Sequence, residues 1–484
     1  EIEVGDWSSD VCSSDLWTRQ KKQARQSSPL RLTIRPDRCS FMRKVLNSML
    51  VSLCFIAGAS FVFHSPVQLY DLVTGAKAAD GFFISWPFIR VFTEPFYAFS
   101  FYALTLQRDF YRPVIISWTG WTVISVFIYC VIKKRTVGQT LCGIFYALML
   151  LITLFLFAVL APLPGPKLNK PDGYIAVDLH SHTVYSHDNL SKPCSNLRFH
   201  RLHGYDAFFV TEHNHTGGFE RFPGEAKYKE VFPGVQMQTK DKVSVLLLSA
   251  KAFDGGQYKD LALKDIIRKA HADGMLVIMP HWWKWHRQSL EELVELGIDG
   301  FEIYNCGYRN LSKRDFQDLV KISKDNNLLM AGSTDWHGWG YMTDVWTVLK
   351  AAPGGNLKEV LDKKPETRVL VYRRQQSSSP LRFILEPFYA FYLYMKNADM
   401  IAVFSLMIWT LLMNVIFMGG ALKIIKKYAP LAIMAVLALS AVFIFTVYIP
   451  ARATNEIIPK TVLPVMIVRS EEHTSELQSP TSIS

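Results

Sequence analysis

Cysteine is scarce in this 484-residue chain, which contains seven. Only Cys194 and Cys306 lie outside the long apolar runs and the segment that precedes them. So few cysteines exclude a small disulfide-stabilised domain and a metal site built from four thiolates. The sequence leaves open whether these two thiols pair with each other or stay separate.

Charged residues are absent from five apolar runs, each close to the roughly 20 residues with which a helix crosses a bilayer. The runs span residues 45–63, 113–132, 136–162, 400–422 and 428–450. An ion or proton pathway normally requires charged residues within such spans. The sequence therefore gives little support to transport by these segments.

Basic clusters border the runs and predict their orientation. Residues 133–135 read KKR between the second and third runs, and residues 423–427 read KIIKK between the fourth and fifth. Because basic loops remain cytoplasmic, we predict a multi-pass protein of the cell membrane whose long middle segment is extracytoplasmic. The first run, within residues 42–64, is interpreted as a transmembrane anchor or a signal peptide. The net charge of +11 then indicates a lipid bilayer as partner, and nucleic acid is not expected.

Both ends of the chain resemble translated sequencing adapters. Residues 1–16 include SSDVCSSDL, and residues 469–484 include RSEEHTSELQSPTS. Disordered polar tails are the alternative interpretation. We exclude both segments from the prediction of the fold.

The apolar part of the chain contains a repeat. Residues 90–99 (RVFTEPFYAF) and 382–391 (RFILEPFYAF) match at an offset of 292 positions (386 − 94). Each copy precedes two apolar runs separated by a basic cluster, so we predict two related membrane units, residues 81–162 and 380–450. The charged residues in each copy favour a helix at the membrane interface over a span.

A domain with a different pattern, residues 167–375, lies between the two units. Short apolar runs such as YIAVDLH, AFFVTEH, GMLVIMPH and GFEIYN alternate with amphipathic stretches such as LKDIIRKAHADG. This alternation predicts a parallel α/β fold in which strands are followed by helices. Polar residues follow several strands directly, at the end where α/β barrels place their sites.

Histidine and aspartate dominate these strand ends. His180 and His182 form an H-x-H, whose alternation points both rings to one face of the strand. The other metal-capable residues at strand ends or in the following turn are His187, Asp188, His213, His281, Asp335 and His337. Imidazoles and carboxylates without a cysteine cluster favour Mn, Zn or Fe.

The ordered motifs DLHSHTVYSHD, TEHNH, PGVQMQT, MPH, GFEIYN and GSTDWHG resemble those of the PHP (polymerase and histidinol phosphatase) family. The resemblance implies a distorted (β/α)7 barrel, here inserted between transmembrane helices. It implies a phosphoesterase in which two or three divalent ions activate a water molecule, so no protein nucleophile is assigned. The expected substrate is a phosphorylated small molecule or a phosphodiester of the cell envelope.

One departure from the family is Gln236, which stands where the family usually has a glutamate that bridges two ions. A neutral amide supplies no anionic bridge, so the alternative function is a catalytically impaired sensory module that binds a metal or another ligand. Lys284 and Arg287 follow His281 and either bind substrate phosphate or belong to a solvated loop. Glu302 and His271 are interpreted as structural residues.

Overall fold

The computed structural model describes residues 50, 69–79, 81–99, 111–160, 165–284, 287–307, 311–338, 343–351, 357, 367–372 and 380–418. The two adapter-like segments, the fifth apolar run and all of the first run except residue 50 lie outside the described residues. The strands are β1 (Tyr70–Asp71), β2 (Phe83–Ser85), β3 (Lys167–Asn169), β4 (Tyr174–Ser181), β5 (Ala207–His213), β6 (Val231–Gln238), β7 (Ser244–Leu248), β8 (Leu276–Met279), β9 (Gly300–Asn305), β10 (Leu329–Ser333), β11 (Val345–Lys350) and β12 (Thr367–Val371). The helices are α1 (Arg90–Phe99), α2 (Tyr111–Ile132), α3 (Val137–Leu160), α4 (Pro193–His203), α5 (Leu263–Ala272), α6 (Leu290–Glu295), α7 (Lys313–Asp325), α8 (Pro380–Ile384), α9 (Glu386–Asn397) and α10 (Met400–Met418).

Ten strands form one curled sheet in the order β1-β12-β11-β4-β5-β6-β7-β8-β9-β10. Side chains close the curl where β10 approaches β11. The Thr347 hydroxyl accepts a hydrogen bond from Gly332 N at 2.7 Å and donates one to Gly332 O at 2.8 Å. Strand β10 at one end of the order therefore lies beside β11 near the other end, and this barrel-like α/β sheet agrees with the predicted fold class.

The sheet is mixed, whereas the sequence predicted a parallel one. Strands β4 to β6 and β8 to β10 are parallel, but β7 is antiparallel to both of its neighbours. Only residues 239–243 connect β6 to β7, and so short a connection allows a hairpin but no crossover helix. The predicted amphipathic segment LKDIIRKAHADG, residues 263–274, corresponds to α5.

Two register shifts lie just before the strand-end histidines and aspartate. Along β4, Asp178 is opposite Phe208 but Ser181 is opposite Val210, so β4 has one extra residue. Along β10, Ala331 is opposite Glu302 and Gly332 is opposite Tyr304. Bulges of this kind re-aim side chains, and here they direct the residues that follow into the barrel mouth.

Apolar side chains fill the barrel interior and cover its outer face. The interior cluster takes alternate residues from several strands, among them Val177, Phe209, Leu246 and Ile278. The alternate residues on the other face pack against α5, α6 and α7. The parallel strand ends are thus held on a rigid support.

Helices α2 and α3 contain windows, Val114–Ile132 and Val137–Leu156, that are long and apolar enough to cross a membrane. Only 6% of each window is buried. They correspond to the second and third predicted spans, and α10 to the described part of the fourth. Length and composition alone make α2 and α3 candidate spans.

The two repeats contact each other reciprocally. The Trp409 indole of α10 donates to Phe92 O of α1 at 2.8 Å, and the Trp121 indole of α2 donates to Ile384 O of α8 at 2.7 Å. The two acceptors, Phe92 and Ile384, lie 292 positions apart (384 − 92), the offset of the sequence repeat. Each repeat therefore packs its short helix against the long helix of the other.

Candidate metal centre

The H-x-H histidines converge on one carboxylate. His180 Nε2 and His182 Nε2 lie 3.0 Å apart, and each lies 3.2 Å from Asp335 Oδ1. His180 and His182 are fully buried and Asp335 is nearly so. The three offer one ligand atom each at a single point, which is a geometry that could hold a metal ion.

Partners on the far side of each ring assign the tautomers of this pair. His180 Nδ1 lies 2.9 Å from Glu302 Oε1, so Nδ1 carries a proton and Nε2 is the ring atom left to bind a metal. His182 Nδ1 lies 3.1 Å from Ser186 Oγ, whose own proton is donated to Glu212. Two lone pairs 3.0 Å apart repel unless a cation or a proton lies between them. The donor set therefore fits a divalent cation.

A second group of ligand atoms extends this inner site outward. Asp188 Oδ1 lies 3.2 Å from His213 Nε2 and 3.4 Å from His337 Nε2. His182, His213 and His337 form one cluster that could hold an ion, and His187, Asp188 and His213 form another. His187, Asp188 and His213 are only partly buried, so the cluster opens toward solvent on this side.

Gln236 and His281 belong to neither group. Gln236 Oε1 lies 3.3 Å from His180 Nε2, and Gln236 Nε2 lies 3.1 Å from His281 Nε2. The amide N–H is thus directed at the imidazole nitrogen that would bind a metal. All other predicted ligands share a cluster, whereas His281 is engaged by the amide that replaces the expected glutamate.

Backbone strain accompanies two of the strand-end residues. His281 has a φ of 31° and Asp335 a φ of 47°, in the left-handed region that side chains with a Cβ rarely adopt. Such strain persists only where the surroundings impose it, and it is common at functional sites.

The cluster shifts the protonation of its members in opposite directions. Burial opposes a positive charge on His180, but the carboxylates of Asp335 and Glu302 outweigh it and raise the pKa of His180 to about 9. Burial, together with His337 and His213, lowers the pKa of His182 well below its ordinary value. In the metal-free protein at neutral pH, His180 is therefore positively charged, whereas His182 is neutral.

The aspartates are held ionised. Burial favours the neutral acid at Asp335, but His180 and His337 outweigh it and lower its pKa well below the ordinary value. At Asp188, burial is likewise outweighed by His337 and His213, which lower its pKa. The buried carboxylate of Asp335 and the partly buried carboxylate of Asp188 are thus available as anionic ligands.

Of the two predicted phosphate-binding residues, the structure describes the side chain of Arg287 only. Arg287 is exposed, with Nη1 3.5 Å from Asp241 O. It lines an open cavity together with Lys264, Arg268 and His271, and none of the metal-site candidates lines that cavity. The side chain of Lys284 lies outside the described residues.

Several buried polar residues behind the ligands were not predicted as part of the site. Glu212 accepts hydrogen bonds from Thr183 and Ser186, and burial raises the pKa of Glu212 to about 7 against these bonds. Asp178 on β4 accepts a hydrogen bond from Thr334 N at 3.0 Å and so joins β4 to the end of β10. The sequence signal available for both was a charged residue within an otherwise apolar strand.

No protein-family model and no curated protein matches the chain. A solved structure from Bifidobacterium adolescentis, with a proposed metal-dependent phosphoesterase activity, is similar at 15% identity and a TM-score of 0.29, over 46% of this chain and 97% of that one. PsfC from Pseudomonas syringae PB-5123 is similar at 14% identity and a TM-score of 0.31, over 46% and 98%. An amidohydrolase from Chromobacterium violaceum, with bound sulfate and no metal, is similar at 12% identity and a TM-score of 0.29, over 41% and 98%. Similarity at this level bears on neither the ligands nor the function of this chain.

Proposed function

We propose that the protein is a metal-dependent hydrolase of phosphate esters. The observation that carries the proposal is the convergence of His180 Nε2, His182 Nε2 and Asp335 Oδ1 on one point, while Nδ1 of each ring faces a partner on its far side. The two further clusters, which share His213, support a total of two or three ions, of Zn, Mn or Fe.

A divalent ion in this cluster would supply Lewis acidity and lower the pKa of a coordinated water molecule. The chain's own contribution is to hold the imidazoles of His180 and His182 and two ionised aspartates at the mouth of the barrel. His187, Asp188 and His213 lie at its open side, where a substrate phosphate would enter. The phosphate-ester class, the (β/α)7 form of the barrel and a substrate that is a phosphorylated small molecule or an envelope phosphodiester rest on the motif resemblance.

Membrane attachment belongs to the same proposal. Only 6% of the apolar window of α2 and of α3 is buried, which is unlike the buried core helix of a soluble protein. We place both in the cell membrane, with the barrel on the extracytoplasmic side. An alkaline-phosphatase fusion after residue 351 is expected to be active, and an inactive fusion would contradict this orientation.

The enzymatic proposal is tested on full-length protein purified in detergent. Metal content is measured, followed by hydrolysis of p-nitrophenyl phosphate and bis(p-nitrophenyl) phosphate with Mn or Zn. We expect metal-dependent turnover that His180→Ala abolishes. Stoichiometric metal without turnover of either ester would reject the hydrolase while leaving the metal site intact.

A second candidate function is a metal-binding sensory module with impaired catalysis. The observation that favours it is the Gln236 amide, which is directed at His281 Nε2 where an anionic bridge is expected. Under this alternative the native protein binds metal without turnover, and Gln236→Glu creates turnover. Turnover by the native protein would eliminate it.

A further inference from the structure

Glu302 has the contacts of a residue that acts on the metal site without binding the metal. It lies on β9, is fully buried, and has both carboxylate oxygens engaged. Oε1 faces His180 Nδ1 at 2.9 Å, while Oε2 accepts from His281 N at 2.9 Å and from Asn305 Nδ2 at 3.1 Å. One side chain thus joins β4, the turn after β8, and β9.

A purely structural role does not account for this carboxylate. Burying a charge costs several kcal/mol unless every lone pair is matched by a donor, and an apolar side chain would fill the same volume without that cost. The three donors around Glu302 offset the burial only because His180 presents Nδ1–H. An acceptor at this place therefore selects one tautomer of His180.

We infer that Glu302 is a positioning residue that orients His180 and His281 for metal binding. It fixes the His180 ring with its Nε2 lone pair toward His182 and Asp335, and through His281 N it holds the strained backbone from which the His281 ring projects. This inference rests on the proposed metal site but not on the reaction that the site catalyses.

The neighbouring histidine provides an internal comparison. His182 Nδ1 reaches Ser186 Oγ, and Ser186 in turn donates to Glu212. Each H-x-H imidazole is therefore backed by a buried carboxylate, directly for His180 and through one hydroxyl for His182. Carboxylates behind metal-bound imidazoles typically contribute 10- to 100-fold in metal affinity.

The test uses Co²⁺ as the probe with full-length, metal-free protein in detergent. Co²⁺ affinity is measured by competition with a chelator, and the visible Co²⁺ spectrum reports the ligand set. Glu302→Gln keeps the size but places an NH₂ group against the donors His281 N and Asn305 Nδ2, or against His180 Nδ1–H. We expect a roughly 10- to 100-fold loss of affinity and a changed spectrum, with the unfolding midpoint of the metal-free protein as the check on folding.

Two further variants complete the design. Glu291→Gln, on the exposed face of α6, is the matched control and is expected to leave affinity and spectrum unchanged. Asn305→Asp keeps the acceptor for Gly307 N but turns the donor that faces Glu302 Oε2 into a second carboxylate oxygen, and it is expected to weaken Co²⁺ binding even if Glu302→Gln fails to fold.

The outcomes separate this inference from the proposed function. Folded Glu302→Gln, or folded Asn305→Asp, with wild-type affinity and spectrum would overturn the positioning role. Wild-type protein that binds no Co²⁺ would overturn both the metal site and the inference. Tight binding by the wild type without hydrolysis, together with weakened binding by Glu302→Gln, would support the inference while rejecting the hydrolase.

Discussion

Gln236 determines how much negative charge the ligand cluster offers. Its amide is nearly buried and lies between His180 and His281. Replacing the NH₂ group by an oxygen removes the donor directed at His281 Nε2 and adds an anionic ligand. Charged ligands attract a divalent cation strongly in a buried site.

We therefore predict that Gln236→Glu raises the affinity for Zn²⁺ by at least about tenfold, an effect of about 1.4 kcal/mol, and adds bound metal. Chelator competition and metal analysis measure both quantities. Gln238→Glu is the matched control, because Gln238 is exposed at the end of the same strand. Equal gains in the two variants would indicate a nonspecific charge effect.

Protons compete with metal at His180. Its pKa of about 9 in the metal-free protein means that Nε2 is protonated at pH 7, and metal must displace that proton. His182 is neutral at pH 7 because its pKa is lowered, so its Nε2 has no proton for the metal to displace. Affinity should therefore fall as pH decreases below about 9, by roughly tenfold per pH unit, with release of about one proton per ion near pH 7. Calorimetry in buffers of different ionisation enthalpy measures this release, and an affinity independent of pH between 6 and 8 would contradict the assignment.

At the scale of the strands, closure of the sheet depends on Gly332. A Cβ at this position would lie 2.5 Å from Val345 Cγ2 and 2.5 Å from Val369 Cγ1. Both valines are fully buried in strands β11 and β12, so neither can withdraw without disturbing the core. The small residue is what allows β10 to approach closely enough to deliver Asp335 to His180.

Gly332→Ala should accordingly lower the unfolding free energy by about 1–3 kcal/mol and weaken metal binding at the same time. Gly224→Ala is the control, because a Cβ at Gly224 meets no atom within 4 Å. The measurements are the thermal unfolding midpoint, which shifts by about 2–4 °C per kcal/mol for a domain of this size, and Co²⁺ affinity. A stable Gly332→Ala protein that binds Co²⁺ normally would show that closure tolerates the methyl group.

Sequence periodicity predicted the elements that carry strong local signals. Strands β4, β5, β8 and β9 and helices α5 and α7 follow apolar patterns that local residues determine. The direction of β7 and the pairing of β11 with β12 depend on contacts between residues that are distant in the sequence. Local sequence patterns therefore could not predict either feature. The grouping of the strand-end residues was predictable because the ends of parallel strands meet at one edge, whereas the contact of Glu302 with His180 was not, because the two residues are 122 positions apart.

The whole molecule joins the barrel to its helices through a buried ionic group. Arg90 Nε lies 2.5 Å from Glu94 Oε2, Arg90 Nη1 lies 2.6 Å from Asp399 Oδ2, and the guanidinium stacks over Trp86 at 4.0 Å. Trp86 in turn contacts the ring of Tyr372 just after β12. The charges that favoured an interfacial position for residues 90–99 are thus directed inward and paired across the two repeats.

Asp399 serves two functions in this group. Its Oδ1 accepts from Ala402 N at 2.8 Å and so caps the start of α10, while Oδ2 pairs with Arg90. Arg90 and Glu94 are almost fully buried, whereas the Asp399 side chain is 32% exposed. Loss of the Arg90 cation therefore leaves the buried Glu94 carboxylate without its ionic partner. Loss of the Asp399 charge leaves the Arg90–Glu94 pair intact.

We predict that Arg90→Met lowers the stability of the helical part by about 3–5 kcal/mol, the usual cost of removing one partner of a buried ion pair. Asp399→Asn keeps an oxygen to cap α10 and should cost less than about 1 kcal/mol, because a partly exposed pair is screened by solvent. Arg135→Met, at the exposed turn after α2, is the control and should match the wild type. Thermal unfolding in detergent ranks the three variants. If Arg90→Met and Arg135→Met unfold at the same temperature, the ionic group does not hold the repeats together, and other contacts, such as the reciprocal tryptophan hydrogen bonds, must do so.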